Sequence, residues 1–199
     1  MPSPIGHALA GIVAAWGADL VPGEREWRTA PASASLFERA GNGLTFTCIA
    51  LAVAPDLDLF FGSFHRSVTH SFTAVVVVAV VTGLMAVRTG RPAVRVASTC
   101  AGAWATHLLL DWLGADHFYP YGIQLLWPFS SAWFISGWDL FAWTERRQVM
   151  GAAAMKQNAA AAALEIALLM PIVLGLWSIR VKALARLSTE LARRDHPAK

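Results

Sequence analysis

The sequence predicts an all-α integral membrane protein, a helical bundle with about five membrane helices. Hydrophobic residues make up 56% of the 199 residues and charged residues only 15%, whereas soluble domains carry about 25% charged residues. Several apolar stretches approach the ~20 residues that a membrane helix needs. The small net charge of +3 gathers in a short connection and at the C-terminus, which is typical of cytoplasmic membrane ends. No nucleic-acid partner is expected.

The predicted helices follow the apolar stretches in chain order. They are 4–21, 43–61, 71–87, 93–114 and 159–179. Pro55 disfavours helix for the residue before it, so the second helix is expected to end there and to continue as an extended or turning segment. The last helix is predicted despite Glu165 and Pro171. Together these segments form one membrane-embedded domain, 1–179, followed by a basic amphipathic tail, 180–199, suited to anionic membrane lipids.

An aromatic-rich segment, 119–143, lies between the last two predicted helices. Its tryptophans favour the membrane–water interface, and its prolines and glycines argue against one continuous helix. Two interpretations stay open. The segment is either a simple interfacial anchor, or a lid or re-entrant hairpin that admits a lipid-like substrate.

Basic residues orient the predicted helices. The connection 87–95 and the tail are rich in arginine and lysine, so the positive-inside rule places both in the cytoplasm. With this orientation, several ionisable side chains fall at extracytoplasmic helix ends, where their burial is costly unless they pair, bind an ion or line a wet cavity. These residues are His7, Asp56, Asp58, His65, His70, His107 and Asp111.

The types and spacing of these residues predict a site for divalent metal ions. His107 and Asp111 are four residues apart and share one helix face. Asp56 and Asp58 would repel each other without a cation or a proton between them. Nitrogen and carboxylate ligands without thiolate favour Zn²⁺, with Mn²⁺ or Fe²⁺ as alternatives, and the ligands suffice for two ions. His117, beyond Gly114, could fold back onto the same ion.

Three further assignments complete the sequence interpretation. His70 stands at the start of the third helix as a ligand, and His65 is either a ligand or an acid/base catalyst. The forked guanidinium of Arg66 suits a substrate phosphate or carboxylate, although it could instead pair with Asp56 or Asp58. Ser67 or Thr69 is a candidate cap for helix 71–87. Both cysteines, Cys48 and Cys100, are expected to be buried small hydrophobes.

The ordered motifs "GHALAG", "PDLD", "HRSVTHS", "HLLLDW" and "YGIQLLWPFS" resemble a family of bacterial inner-membrane metal-dependent hydrolases. These proteins are also described as LexA-binding and inner-membrane-associated. The resemblance covers roughly residues 3–140. It implies a multi-pass inner-membrane protein whose site residues are His7, Asp56, Asp58, His65, His70, His107 and Asp111. More distantly, the spacing His107-x3-Asp111-x5-His117 is similar to that of zinc-dependent phospholipases C and P1-type nucleases.

Residues and resemblance together favour hydrolysis of a phosphoester, which could be lipid-linked, by water that a metal ion activates. Two alternatives remain. The polar cluster could tie helices together in a membrane scaffold that binds a regulatory protein partner, or it could serve a metal sensor or transporter.

Overall fold

The computed structural model describes residues 1–21, 43–146 and 150–195, without the side chains of residues 61–64 and 183–195. Its elements, in chain order, are α1 (Pro4–Ala18), α2 (Gly43–Val53), a 3-10 helix (Ala54–Phe64), α3 (Phe72–Arg88), α4 (Ala93–Leu113) and α5 (Ala152–Asp195). These residues contain no β-strand, so the prediction of an all-α fold is confirmed. The predicted loop 22–42 lies outside the described residues.

Membrane-spanning length is confirmed for fewer helices than the sequence predicted. Two segments in the described residues are long and apolar enough to cross a membrane: Gly43–Phe60 and Ala152–Lys182. The helices α1 and α3 are apolar but shorter, and α4 is long enough but carries polar side chains that lower its hydropathy. The prediction of about five membrane helices is therefore not confirmed by length and composition.

The bundle is built around α1 and α4. α1 packs against α2, α4 and α5, while α4 also packs against α2 and α3. Gly11 allows a close approach of α1 to α2, because a Cβ at this position would lie 2.7 Å from the Cys48 carbonyl oxygen. Cys48 and Cys100 are buried in this core as thiols, as predicted.

Two helix boundaries differ from the sequence prediction for local reasons. Pro55 cannot donate a backbone hydrogen bond, and the α-helix ends at Val53. The chain nevertheless stays helical with the tighter 3-10 geometry instead of becoming extended. The cap of α3 is Ser71, whose hydroxyl accepts from the backbone N–H of Ala74 at 3.2 Å, and not Ser67 or Thr69.

An irregular segment, residues 114–146, closes one end of the bundle. Backbone hydrogen bonds join it to the start of α3, from Phe72 N to Leu125 O at 2.9 Å, and to the end of α4, from Ser136 N to Trp112 O at 2.9 Å. The following helix, α5, is longer than predicted and continues past residue 180. The amphipathic character predicted for the tail depends largely on side chains outside the described set.

Candidate metal centre

Four segments of the chain bring histidine and aspartate side chains to one point. His7 comes from α1, His70 from the loop before α3, and the remaining residues from the 3-10 helix and α4. One ligand atom from each of four residues lies within 4.8 Å of the others; they are Asp56, His70, His107 and Asp111. This set, called here the His–Asp cluster, can hold a metal ion.

The α4 pair is arranged as the spacing predicted, with both side chains on one face. The Nε2 atom of His107 lies 3.2 Å from Asp111 Oδ2. The other ring nitrogen of His107 donates to the backbone oxygen of Ala52 at 2.7 Å. This bond assigns the proton of a neutral ring to Nδ1, so the lone pair on Nε2 points into the cluster.

His70 also directs its Nε2 atom into the cluster. Its Nδ1 lies 3.2 Å from Asp58 Oδ2, and its Nε2 lies 3.0 Å from Nε2 of His107. Two imidazole lone pairs at this distance repel unless a cation or a proton lies between them. Burial alone would lower the pKa of His70, but Asp111 and Asp58 outweigh it and raise that pKa to about 9. The protein environment therefore favours an additional positive charge here.

His7 and Asp111 are buried polar groups without hydrogen-bond partners among the described residues. This holds for both ring nitrogens of His7 and both carboxylate oxygens of Asp111, although His7 Nε2 lies 3.5 Å from Asp111 Oδ1. Leaving a buried polar group unpaired costs about 1–3 kcal/mol. A cation held by these atoms would remove that cost.

The spacing of the atoms also suits a metal ion. A tetrahedral ion with bonds of about 2.1 Å separates its ligands by roughly 3.4 Å. Within the cluster, His70 Nε2 lies 3.0 Å from His107, 3.3 Å from Asp111 Oδ2 and 3.9 Å from Asp56 Oδ1. The cluster residues can therefore hold an ion without a large rearrangement of their side chains.

Asp58 and His65 lie beside the cluster and form a pair. The carboxylate of Asp58 contacts His65 Nδ1 at 2.6 Å and accepts from the Thr69 hydroxyl at 2.5 Å. Its second oxygen also accepts from the backbone N–H of Arg66 at 3.1 Å. Asp58 thus faces the rings of His65 and His70, and its bonds suit a residue that orients these histidines.

The side chains of two predicted site residues, Arg66 and His117, have their contacts outside the cluster. Arg66 forms a short ion pair with Asp116 and donates to the backbone oxygen of Phe118 at 3.2 Å, so its charge is compensated outside the cluster. It pairs with neither Asp56 nor Asp58 through its guanidinium in the contacts described. His117 lies against Trp143, with ring centroids 5.0 Å apart, and is not among the cluster residues.

Three functional candidates were missed by the sequence interpretation: Asp116, Arg146 and Glu165. Asp116 fixes Arg66, while Arg146 contacts both Asp56 and His65. Glu165 is fully buried against the start of α1. The charge of Glu165 inside an apolar helix was a signal for a buried partner, but nothing in its spacing identified that partner.

Apolar helices around a buried histidine–aspartate cluster define a class of helical membrane protein with a candidate metal site. The chain belongs to the YdjM inner membrane protein family, whose family model matches residues 1–184. The predicted inner-membrane protein family is thereby supported, whereas the match carries no link to hydrolases, phospholipases C or nucleases. No curated protein and no solved structure matches the chain.

Proposed function

We propose that this protein is a metal-dependent hydrolase of phosphoesters, with its site toward the extracytoplasmic side of the inner membrane. The observation that carries the proposal is the 3.0 Å approach of the His70 and His107 Nε2 atoms. The other nitrogen of each ring faces an oxygen acceptor, Asp58 or the Ala52 carbonyl. This orientation by surrounding residues is typical of histidines that ligate metals.

The His–Asp cluster would hold the ion, and His7 would add a further ligand. Asp56 and Asp111 each direct one oxygen toward His70 and the other toward His7, an arrangement that also suits two bridged ions. Nitrogen and carboxylate donors favour Zn²⁺, with Mn²⁺ or Fe²⁺ as alternatives. When bound, such an ion lowers the pKa of water and stabilises negative charge on a substrate oxygen.

In this proposal, His65 is the residue that moves a proton. Asp58 engages its Nδ1 at 2.6 Å, and its Nε2, which lies 3.4 Å from Arg146 Nη1, would accept a proton from the attacking water and return it to the leaving group. A positioned acid/base of this kind contributes about 10²–10⁴-fold to the rate. Asp58 then acts by orienting two histidines, and Arg66 acts through Asp116 to hold the loop that carries them.

The surface beside the site favours a substrate from the membrane. In the segment 114–146, the aromatic side chains of Phe129, Trp138 and Tyr119 are largely exposed. Exposed aromatic rings are favourable at the headgroup level of a bilayer. A phosphoester carried on a lipid could therefore reach the cluster without leaving the membrane surface.

The test compares two histidine variants of the full chain purified in detergent. His107→Gln should lower the bound metal and abolish phosphoester hydrolysis, because it removes a cluster ligand. His117→Gln is the matched control and should retain both properties, since His117 lies outside the cluster. The measurements are elemental analysis and turnover of phosphoesters, both soluble and lipid-linked.

Each alternative gives a different result. Wild-type protein without bound metal, and without any difference between the two variants, would contradict the proposal and favour a scaffold. Stoichiometric metal without turnover would favour a sensor or a transporter.

A further inference from the structure

The exposure of the side chains defines the side from which a substrate reaches the cluster. His7, His70, His107 and Asp111 are at most 1% exposed, whereas Asp56 is 8% exposed. Next to Asp56, the side chains of His65 and Arg146 are 19% and 21% exposed. Among the described residues, the cluster is therefore less deeply buried on the side of His65 and Arg146.

Arg146 bridges a candidate metal ligand and the candidate acid/base. Its Nη1 atom lies 3.5 Å from Asp56 Oδ1 and 3.4 Å from His65 Nε2. Charge-assisted hydrogen bonds from a guanidinium to a carboxylate are shorter, about 2.7–2.9 Å. The ion pair with Asp56 is thus loose, and the second terminal nitrogen of Arg146 has an equally long contact, 3.5 Å to the Pro2 carbonyl oxygen.

The backbone before Arg146 is held firmly by α5. Asn158 accepts from the backbone N–H of Glu145 at 2.7 Å and donates to the carbonyl of the same residue at 3.0 Å. Gln157 donates to the Trp143 carbonyl at 2.9 Å. The guanidinium is therefore presented to the cluster from an anchored position.

We propose that Arg146 binds the phosphoryl group of the substrate beside the metal ion. The inference rests on the proposed function for the roles of the ion and His65. Once Asp56 ligates a cation, its charge is shared with that cation, and Arg146 can pair with an incoming anion instead. A guanidinium has a planar fork of donors that matches phosphate oxygens. The other nearby arginine, Arg66, is already compensated by Asp116.

The experiment measures binding of inorganic phosphate to full-length protein in detergent, by calorimetry, with the metal content of every sample determined. Arg146→Gln should weaken phosphate binding roughly 10- to 100-fold, as expected for loss of a charged hydrogen-bond donor, while metal content stays at the wild-type level. Arg146→Lys should recover part of the affinity. Arg88→Gln, at the opposite end of α3, is the matched control and should bind phosphate like the wild type.

Two further titrations distinguish a soluble from a lipid-linked source of the phosphoryl group. The metal content distinguishes a failure of the Arg146 proposal from a failure of the proposed function. Glycerol phosphate and phosphatidic acid in mixed micelles are titrated in parallel, and dependence on Arg146 is expected for whichever binds. Equal phosphate affinity of Arg146→Gln and wild type, or metal-loaded wild type that binds no phosphate, would overturn the role of Arg146 and leave the metal site intact. If the wild type holds no metal, the proposed function fails. In that case Arg146-dependent phosphate binding still supports the subsite, and its absence overturns it.

Discussion

Two aspartates two positions apart have different environments because of the helix that carries them. A 3-10 helix has three residues per turn, so Asp56 and Asp58 project about 120° apart around its axis. Asp56 directs its oxygens toward the His–Asp cluster, and Asp58 directs its oxygens toward His65, Thr69 and His70. On the extended segment that the sequence predicted, both carboxylates would instead have projected to one face. The assignment of Asp58 as an orienting residue therefore depends on this local geometry.

This assignment gives a testable prediction for Asp58→Asn. The amide keeps the volume of the side chain but loses the charge that fixes the rings of His65 and His70. Loss of such an orienting residue typically weakens metal binding 10- to 100-fold, roughly the effect expected here. A competition titration with a metal chelator measures the affinity.

Asp139→Asn is the control for this prediction, because Asp139 lies outside the cluster and asparagine also tolerates its φ of 50°. Unchanged metal affinity in Asp58→Asn would refute the orienting role.

The helices α1 and α5 are joined by a carboxylate at a helix start. Glu165 of α5 accepts from the backbone N–H groups of Ser3 at 2.6 Å and Gly6 at 2.9 Å, and from the Ser3 hydroxyl. A negative charge is favourable at the N-terminus of a helix, where backbone N–H groups lack partners. Gly6 makes the contact possible, because a Cβ there would lie 2.7 Å from Glu165 Oε2. The next residue is His7, so the contact also positions a candidate ligand.

We expect Glu165→Ala to destabilise the protein by about 2–4 kcal/mol, since it leaves buried donors at the start of α1 unpaired. Glu165→Gln should lie between this variant and the wild type, because its amide oxygen can still accept. The measurement is the unfolding midpoint in detergent, together with metal content.

Lys156→Ala provides the comparison, as Lys156 is exposed on the same helix. If Glu165→Ala destabilises the protein no more than Lys156→Ala does, the contact of Glu165 with the start of α1 does not stabilise the fold.

At the scale of the whole molecule, the sequence predicted features that depend on neighbouring residues and missed contacts between distant segments of the chain. The bounds predicted for the third and fourth helices nearly match α3 and α4, because apolar composition is a local signal. His107 and Asp111 were paired correctly on one helix face. The partnership of Arg66 with Asp116 and the position of Arg146 depend on packing between segments far apart in the chain. Single-sequence patterns contain no signal for such contacts.

The two ends of the bundle also differ in the charged residues that they carry. At the end opposite the cluster, Arg180 donates to Asp19 at 2.9 Å, and Arg95 lies 3.7 Å from the other oxygen of the same carboxylate. This end also carries Arg88, in the last turn of a helix that spans about 25 Å. Because of the excess of arginine at this end, we expect a fixed orientation in the membrane, with the arginine-rich end in the cytoplasm.

Single cysteines at the two ends test this orientation. Phe129→Cys introduces a thiol at an exposed site near the start of α3, and Thr89→Cys introduces one at the end of that helix. In spheroplasts, a membrane-impermeant maleimide should label Phe129→Cys directly and Thr89→Cys only after lysis. The wild type is the control, because Cys48 and Cys100 are buried and should react little. The reverse labelling pattern would place the cluster on the cytoplasmic side, and equal labelling of both cysteines before lysis would contradict the separation of the two ends by a membrane.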